Sequence, residues 1–161
     1  MVYILDVIND KLVKAEIVVP VQNEIPLKKD GWNFNWRQLS KDKNTRTFVL
    51  KTIGLSSRVE GALQLKIENE MLIMNNLEIA PYNIGRKNKK YDYVASCLIA
   101  FACKESFKLK GDYKGFLTFM SKTSLIQWYV KKYGAKVGLG QRMYIDSENG
   151  LKLIQEYLER K

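Results

Sequence analysis

The stretch Asn83–Ala95, NIGRKNKKYDYVA, sets four cations, Arg86, Lys87, Lys89 and Lys90, between a buried-looking strand and a buried-looking helix. A strand that runs straight into a helix start leaves backbone N–H groups unpaired and aims the positive end of the helix dipole at whatever sits there. With the cations added, one reading is a site for a compact, multiply charged anion such as a phosphate ester. The other is a solvated basic turn in which the Asp92 carboxylate caps the same N–H groups. Proton-transfer chemistry is constrained more sharply. Histidine is absent, which removes His-based triads and most zinc sites, and the two cysteines cannot build a metal cage alone. No metal is expected, and acid–base work falls to Glu, Asp, Tyr, Lys or water.

Cys97 and Cys103 stand six apart in one apolar helical run, where a disulfide is geometrically awkward; two buried, reduced thiols are expected. The net charge of +10 over 161 residues attracts polyanions or a small ligand carrying several phosphates. With 46% hydrophobic residues there is ample material for one packed core, and the expectation is a single domain over residues 1–161. The opening MVYILDVIND carries no basic segment followed by an apolar run, and no run approaches the length that spans a bilayer, so a cytoplasmic protein without a membrane partner is expected.

The elements that must position these residues can be read from hydrophobic periodicity. Leu12–Val21 is rich in β-branched residues and reads as a strand ending at Pro20. Residues 22–43 read as a loop or short helix, with Trp32, Phe34 and Trp36 pinning it to the body. Thr45–Thr52, Glu60–Ile67 and Met71–Ala80 form an antiparallel meander. Val94–Leu109 is apolar nearly all round, as a helix buried against a sheet should be. Gly115–Met120 reads as a short strand. Ser124–Tyr133 reads as a helix with a hydroxyl cap region before it and Gly134 after it. Arg142–Ile145 is the last strand and Ser147–Leu158 the last helix. The order β-β-β-β-α-β-α-β-α predicts an α/β (α+β) sandwich, a twisted mixed sheet flanked by helices.

From residue 45 to the end, this order of elements, with MLIMNNLEIAPYNIGRKNKKYDYVASCLIAFACKESF followed by GFLTFMSKTSLIQWYVKKYGA, resembles the core of the GNAT superfamily of N-acetyltransferases. The family's loop motif, Q/R-x-x-G-x-G/A, aligns with Lys90-Tyr-Asp-Tyr93-Val-Ala95. Ala95 fits; Lys90 stands for Gln or Arg, and Tyr93 for the first glycine. The two early helices of the family are not evident here. The resemblance implies acetyl-CoA as co-substrate and direct transfer of its acetyl group to an amine acceptor. It implies that backbone amides of Lys90, Tyr91, Tyr93, Val94 and Ala95, helped by Arg86 and Lys87, hold the pyrophosphate. It also implies that the pantetheine arm adds to the strand edge near Leu77 and Ile79, up to Ala80, with an amide there for the oxyanion. Glu78 is the implied base, with Asn75 and Asn76 orienting a water or marking a bulge, and the alternative task for Glu78 is pairing with a lysine or solvent. Tyr129 is the implied acid for the departing thiolate, with Tyr133 as the alternative and aromatic core packing as the other task of both. Ser121, Thr123 and Ser124 touch the pantetheine or cap the helix.

A second class of function is a basic nucleic-acid-binding module without catalysis, which would use the charge surplus. Against it, no RNP, zinc-finger or helix-turn-helix signature is present, and the densest basic run sits at a junction suited to a compact anion. A transferase acting on an RNA- or protein-borne amine joins the two readings. The acceptor pocket would be built from residues 22–43, and a homodimer is left open.

Overall fold

A computed structural model describes residues 1–54, 57–85 and 89–160. Among these residues nine strands, β1 (Val2–Asp6), β2 (Lys11–Val18), β3 (Thr45–Thr52), β4 (Val59–Glu68), β5 (Met71–Ile79), β6 (Tyr91–Asp92), β7 (Leu117–Met120), β8 (Lys136–Val137) and β9 (Arg142–Ile145), form one sheet in the order β6-β1-β2-β3-β4-β5-β7-β9-β8. Four helices accompany them: α1 (Trp36–Leu39), α2 (Val94–Ser106), α3 (Ile126–Tyr133) and α4 (Ser147–Tyr157). Every described pairing is antiparallel except β5 with β7.

The mixed sheet flanked by helices agrees with the expected class, and the three meander strands lie within a residue or two of their expected bounds. Three strands were not foreseen. β1 turns Val2, Ile4 and Asp6 inward, but its sequence VYILD is apolar on both faces and lacks the apolar/polar alternation that marks a half-buried strand. β6 and β8 are two residues long, too short for any periodicity. The expected hydroxyl cap of α3 is corrected: no side chain caps its start or that of the 3-10 turn Thr123–Leu125 before it. Instead Ser121 Oγ donates to the Lys122 carbonyl and Thr123 Oγ1 accepts from Gln141 Nε2. Gly134 ends α3 as expected, at φ +67.

Alternation along the strands sends side chains to two cores. Phe48, Leu50, Leu63, Leu65, Leu72 and Met74 meet α2 and α4 on one face. Val49, Ala62 and Ala80 meet Trp32 and Trp36 on the other, so residues 22–43 form a strap across that face. Trp32 and Trp36 are buried as expected, whereas Phe34 is exposed. α2 comes close because β4 offers Gly61 beneath it: a Cβ there would lie 2.7 Å from Val94 Cγ1 and 2.9 Å from Leu98 Cδ1.

Candidate active site

β5 and β7 hydrogen-bond only through Leu72 with Leu117 and Ile73 with Thr118. Beyond those pairs they part. The cause is local: the β4–β5 register slips between Gln64 opposite Asn76 and Leu65 opposite Met74, leaving Asn75 as the extra residue of a bulge, which bends the strand. Asn75 and Asn76 therefore do mark a bulge. A cavity of about 180 Å³ fills the opening, with Met74–Leu77 on one side, Phe119–Lys122 on the other, and Leu125, Phe34 and Tyr129 completing it. The edge of β5 facing it has no strand partner past Ile73. An extended, amide-bearing chain can pair with such an edge.

Tyr129 reaches this cavity from α3, its ring packed 4.8 Å from Phe119. Burial raises its pKa, which keeps the phenol protonated at neutral pH. Tyr133, one turn on, is buried, and its hydroxyl lies 3.0 Å from Ser96 Oγ. Of the two tyrosines, only Tyr129 lines the opening; Tyr133 joins α3 to α2.

A second cavity, of about 90 Å³, lies at the N-terminus of α2 and is walled by Ile79, Asn83, Lys89, Tyr91–Ser96, Trp128 and Lys132. The two cavities use successive residues of β5 and α3. Tyr93 takes the left-handed conformation, φ +74, as residue preceding α2. It keeps at this position the backbone shape for which glycine is favoured. Asp92 accepts from Tyr93 N–H at 2.8 Å and from Lys89 Nζ at 3.3 Å, so it takes one amide, not the whole helix start. No side chain caps α2, and the first-turn amides of Val94, Ala95 and Ser96 lack intrahelical acceptors as every helix start does. The expected amide set, Lys90 to Ala95, is thereby corrected: Tyr91 N–H donates to Asn83 Oδ1 at 3.0 Å and Tyr93 N–H to Asp92, so the available amides begin at Val94. Lys90 is exposed beside the Tyr91 ring and does not line the cavity. Arg86 and Lys87 lie outside the described residues. Trp128, which belongs to the aromatic face of the helix with Tyr129 and Tyr133, and Lys132 carry no local signal of this cavity, because helical aromatics and lysines look like core and surface.

On the strap side, a cavity of about 500 Å³ is lined by Phe34, Asn35, Gln38, Leu39, Lys41, Asp42 and Asn76. Phe34 and Asn76 are shared with the opening between the strands, so the two adjoin. Gln64, buried, organises the boundary: its Oε1 accepts from Asn75 and Asn76 Nδ2 at 2.8 and 2.7 Å, and its Nε2 donates to the Leu39 carbonyl and Thr45 Oγ1 at 2.9 and 3.1 Å.

Glu78, the expected general base, is placed against the strap. Its buried carboxylate accepts from Asn33 N–H at 2.6 Å, Phe34 N–H at 3.1 Å and Trp36 Nε1 at 2.8 Å, and it does not line the Tyr129 cavity. The reason is the face: Glu78 pairs across from Ala62 in the strap-side core, and its neighbours Leu77 and Ile79 point to the α2 side. Leu77 and Ile79 accordingly reach the two cavities. Ser124 is exposed and lines neither.

A larger cavity, about 680 Å³, lies elsewhere, between Trp32, Tyr82 and the ends of β3 and β4. Within it Lys51 pairs with Glu24, and Arg58 pairs with Glu60 and lies over the Tyr82 ring. Cys97 and Cys103 are free and buried, their thiols pushed up to about 12 by desolvation, which leaves them unreactive. Among the described residues no group of His, Cys, Asp and Glu could hold a metal ion, and no helix is long and apolar enough to cross a membrane.

No protein-family model and no curated protein matches the sequence. Solved structures do match the fold. The KacTA–DNA complex contains a chain similar at TM-score 0.63 and 11% identity, over 89% of this chain and 99% of that one. AtaT, in complex with acetyl-methionyl-tRNAfMet, is similar at TM-score 0.60 and 12% identity, over 88% and 99%. A spermidine N-acetyltransferase chimera of Vibrio cholerae SpeG and hSSAT gives TM-score 0.56 and 15% identity, over 85% and 98%. The chain has the GNAT-like acyltransferase fold.

Proposed function

We propose that this protein transfers an acetyl group from acetyl-CoA to an amine in a ternary complex. The observation that carries the reading is the opening between β5 and β7, with Tyr129 in it and the uncapped start of α2 beside it. In this reading the pyrophosphate sits on the amides of Val94–Ser96, with Lys89 and Lys132 supplying charge. The pantetheine pairs with the free edge of β5 along Leu77–Ile79, and the thioester reaches Tyr129.

The acceptor amine, neutral, attacks the thioester carbon as its lone pair forms the C–N bond. The carbonyl electrons move to oxygen, where a backbone N–H of the unpaired β5 edge stabilises the charge. Collapse breaks the C–S bond, and the departing thiolate takes the Tyr129 proton. The amine loses its extra proton to water, and solvent reprotonates the tyrosine. Asn75 and Asn76 commit their Nδ2 groups to Gln64, which turns their side-chain oxygens to the amine or to that water. Glu78 acts as a positioning residue: it holds the Phe34 segment that walls the acceptor side.

Charge bears on the acceptor. The strap-side cavity has Lys41 against Asp42, with Lys122 at the opening, on a chain of net charge +10. A polycationic amine meets repulsion there, and an amine on a neutral or anionic carrier does not. An RNA-borne amine is the second reading, favoured by that charge and by AtaT having been captured with an acetylated aminoacyl-tRNA.

Calorimetry with CoA tests the first step, and thiol release from acetyl-CoA with a panel of free, peptidyl and RNA-borne amines tests the second. Defined CoA binding with acceptor-dependent release supports the proposal. No CoA binding at low salt, together with steeply salt-dependent RNA binding, makes the protein a binding module instead.

A further inference from the structure

Glu60 is wholly buried, and so, to 1% exposure, is Asn83. They are joined: Asn83 Nδ2 donates to Glu60 Oε1 at 2.8 Å, and Arg58 Nε reaches Glu60 Oε2 at 3.2 Å. The other end of the Asn83 amide, Oδ1, accepts from Tyr91 N–H at 3.0 Å. One side chain thus ties the start of β6 to β4. Backbone contacts fix the same points, since Ala80 N–H donates to the Glu60 carbonyl and Val7 N–H to the Lys90 carbonyl. β1 then pairs Leu5 with Asp92 and Asp6 with Tyr91.

A buried carboxylate held this way is poor value as a source of stability, because an apolar pair of the same shape would be at least as stable. What it supplies is geometry. An amide held at both ends has one orientation, and this one sets where Tyr91 lies, hence the turn through Tyr93 and the direction of the α2 amides. Asn83 also walls the cavity that those amides line.

We infer that the Glu60–Asn83 pair is a latch for the N-terminus of α2, positioning the donor's phosphates through Tyr91 and taking no part in the acetyl transfer. The inference rests on the acetyl-CoA reading and adds to it a positioning role for two buried residues behind the α2 N-terminus. The latch acts on the phosphate end of the donor, some residues distant from Tyr129.

The test compares two donors: acetyl-CoA, and S-acetyl-N-acetylcysteamine, which keeps the thioester and lacks every phosphate. In Asn83→Ala, kcat/KM for acetyl-CoA should fall about tenfold further than kcat/KM for the truncated donor, as expected when two hydrogen bonds are lost and Glu60 Oε1 and Tyr91 N–H are left without Asn83. The loss should appear in KM rather than kcat. Glu60→Gln keeps an acceptor for Asn83 Nδ2 and should keep the wild-type ratio between donors. If Asn83→Ala does not fold, Asn83→Asp gives the same comparison, since it keeps the volume and sets a second carboxylate against Glu60. Equal losses with both donors, or no loss with either, overturn the latch. A wild-type protein that uses neither donor overturns the acetyl-transfer reading itself, which is a separate result.

Discussion

Gly61→Ala isolates the point at which backbone packing and donor binding meet. Gly61 lies in β4 without a positive φ, so alanine suits the backbone, and removing a glycine from the unfolded ensemble would by itself stabilise by about 0.4–1 kcal/mol. Against that, the new methyl meets Val94 Cγ1 at 2.7 Å and Leu98 Cδ1 at 2.9 Å. Both distances are below ordinary contact. Val94 is β-branched and stiff at χ1, so the helix start must move rather than one rotamer. Overpacking of this kind costs about 1–3 kcal/mol, and the net expectation is a loss of about 1–2 kcal/mol, or about 3–6 °C in Tm at this chain length. Because Val94 is the first residue of α2, the same displacement shifts the amides proposed to hold the pyrophosphate, and CoA affinity should fall alongside stability. Urea denaturation and calorimetry with CoA read the two effects. Gly111→Ala is the control: it also lacks a positive φ, and its nearest neighbour stands 4.0 Å away, so it should be neutral or stabilising. A Gly61→Ala protein as stable as wild type, with unchanged CoA affinity, refutes the close approach of α2 as the element that places the amides.

Tyr129→Phe should lower kcat by about 10²–10⁴-fold, the usual worth of a general acid, with CoA affinity unchanged; an unaltered kcat removes the phenol from the mechanism. Since burial raises the Tyr129 pKa above its ordinary 10.0, wild-type kcat should persist to about that pH and fall only beyond it, a limb that the Phe variant lacks. Glu78→Gln replaces one acceptor oxygen by a donor amide facing Asn33, Phe34 or Trp36, and should cost about 1–3 kcal/mol and raise KM for the acceptor more than for acetyl-CoA. If Glu78→Gln instead removed the acid limb of the kcat/KM profile, Glu78 would be the base after all. Asp146 caps α4 through Asn149 N–H and pairs with Lys136 at 2.6 Å, which holds its carboxyl down at about 2. A folded-state pKa below the unfolded value contributes stability that is present above about pH 4 and lost as pH falls through about 2. Asp146→Asn keeps the cap and loses the pair, so the stability difference from wild type should shrink over that window; a constant difference from pH 7 to pH 2 would show that the pairing is not what lowers the carboxyl.

Much of the scaffold was legible because strong periodicity coincides with single-sided or complete burial. Thr45–Thr52 and Arg142–Ile145 match their expected bounds, and α2 starts at Val94 as its apolar run says. The loop motif departs at Tyr93, yet that residue adopts the left-handed shape that glycine favours. What the sequence did not disclose are cross-chain pairings. Nothing local says that Val7 N–H finds the Lys90 carbonyl, that Gln64 gathers two asparagines, or that Asn83 bridges Tyr91 to Glu60. Glu78 shows the same limit from the other side. Its position on the strand was readable, but its face depends on a one-residue bulge at Asn75, which inverts inward and outward for everything after it.

The bulge also explains how the strap can replace regular helices over the acceptor side. After Asn75 the face opposite α2 receives Asn76, Glu78 and Ala80 in turn. Asn76 walls the cavity, Glu78 takes two backbone amides and an indole from the strap, and Ala80 leaves room for Trp32 and Trp36. A four-residue helix such as α1 could not hold itself in water. Here it is held by its contacts: Asn35 caps it through Gln38 N–H, Trp36 is fully buried, and the Leu39 carbonyl accepts from Gln64. The wall of the proposed acceptor corridor is therefore set by three polar side chains of β4 and β5, Gln64, Asn76 and Glu78. Changes of acceptor preference should arise from those positions and from Phe34 sooner than from the helices behind the donor site.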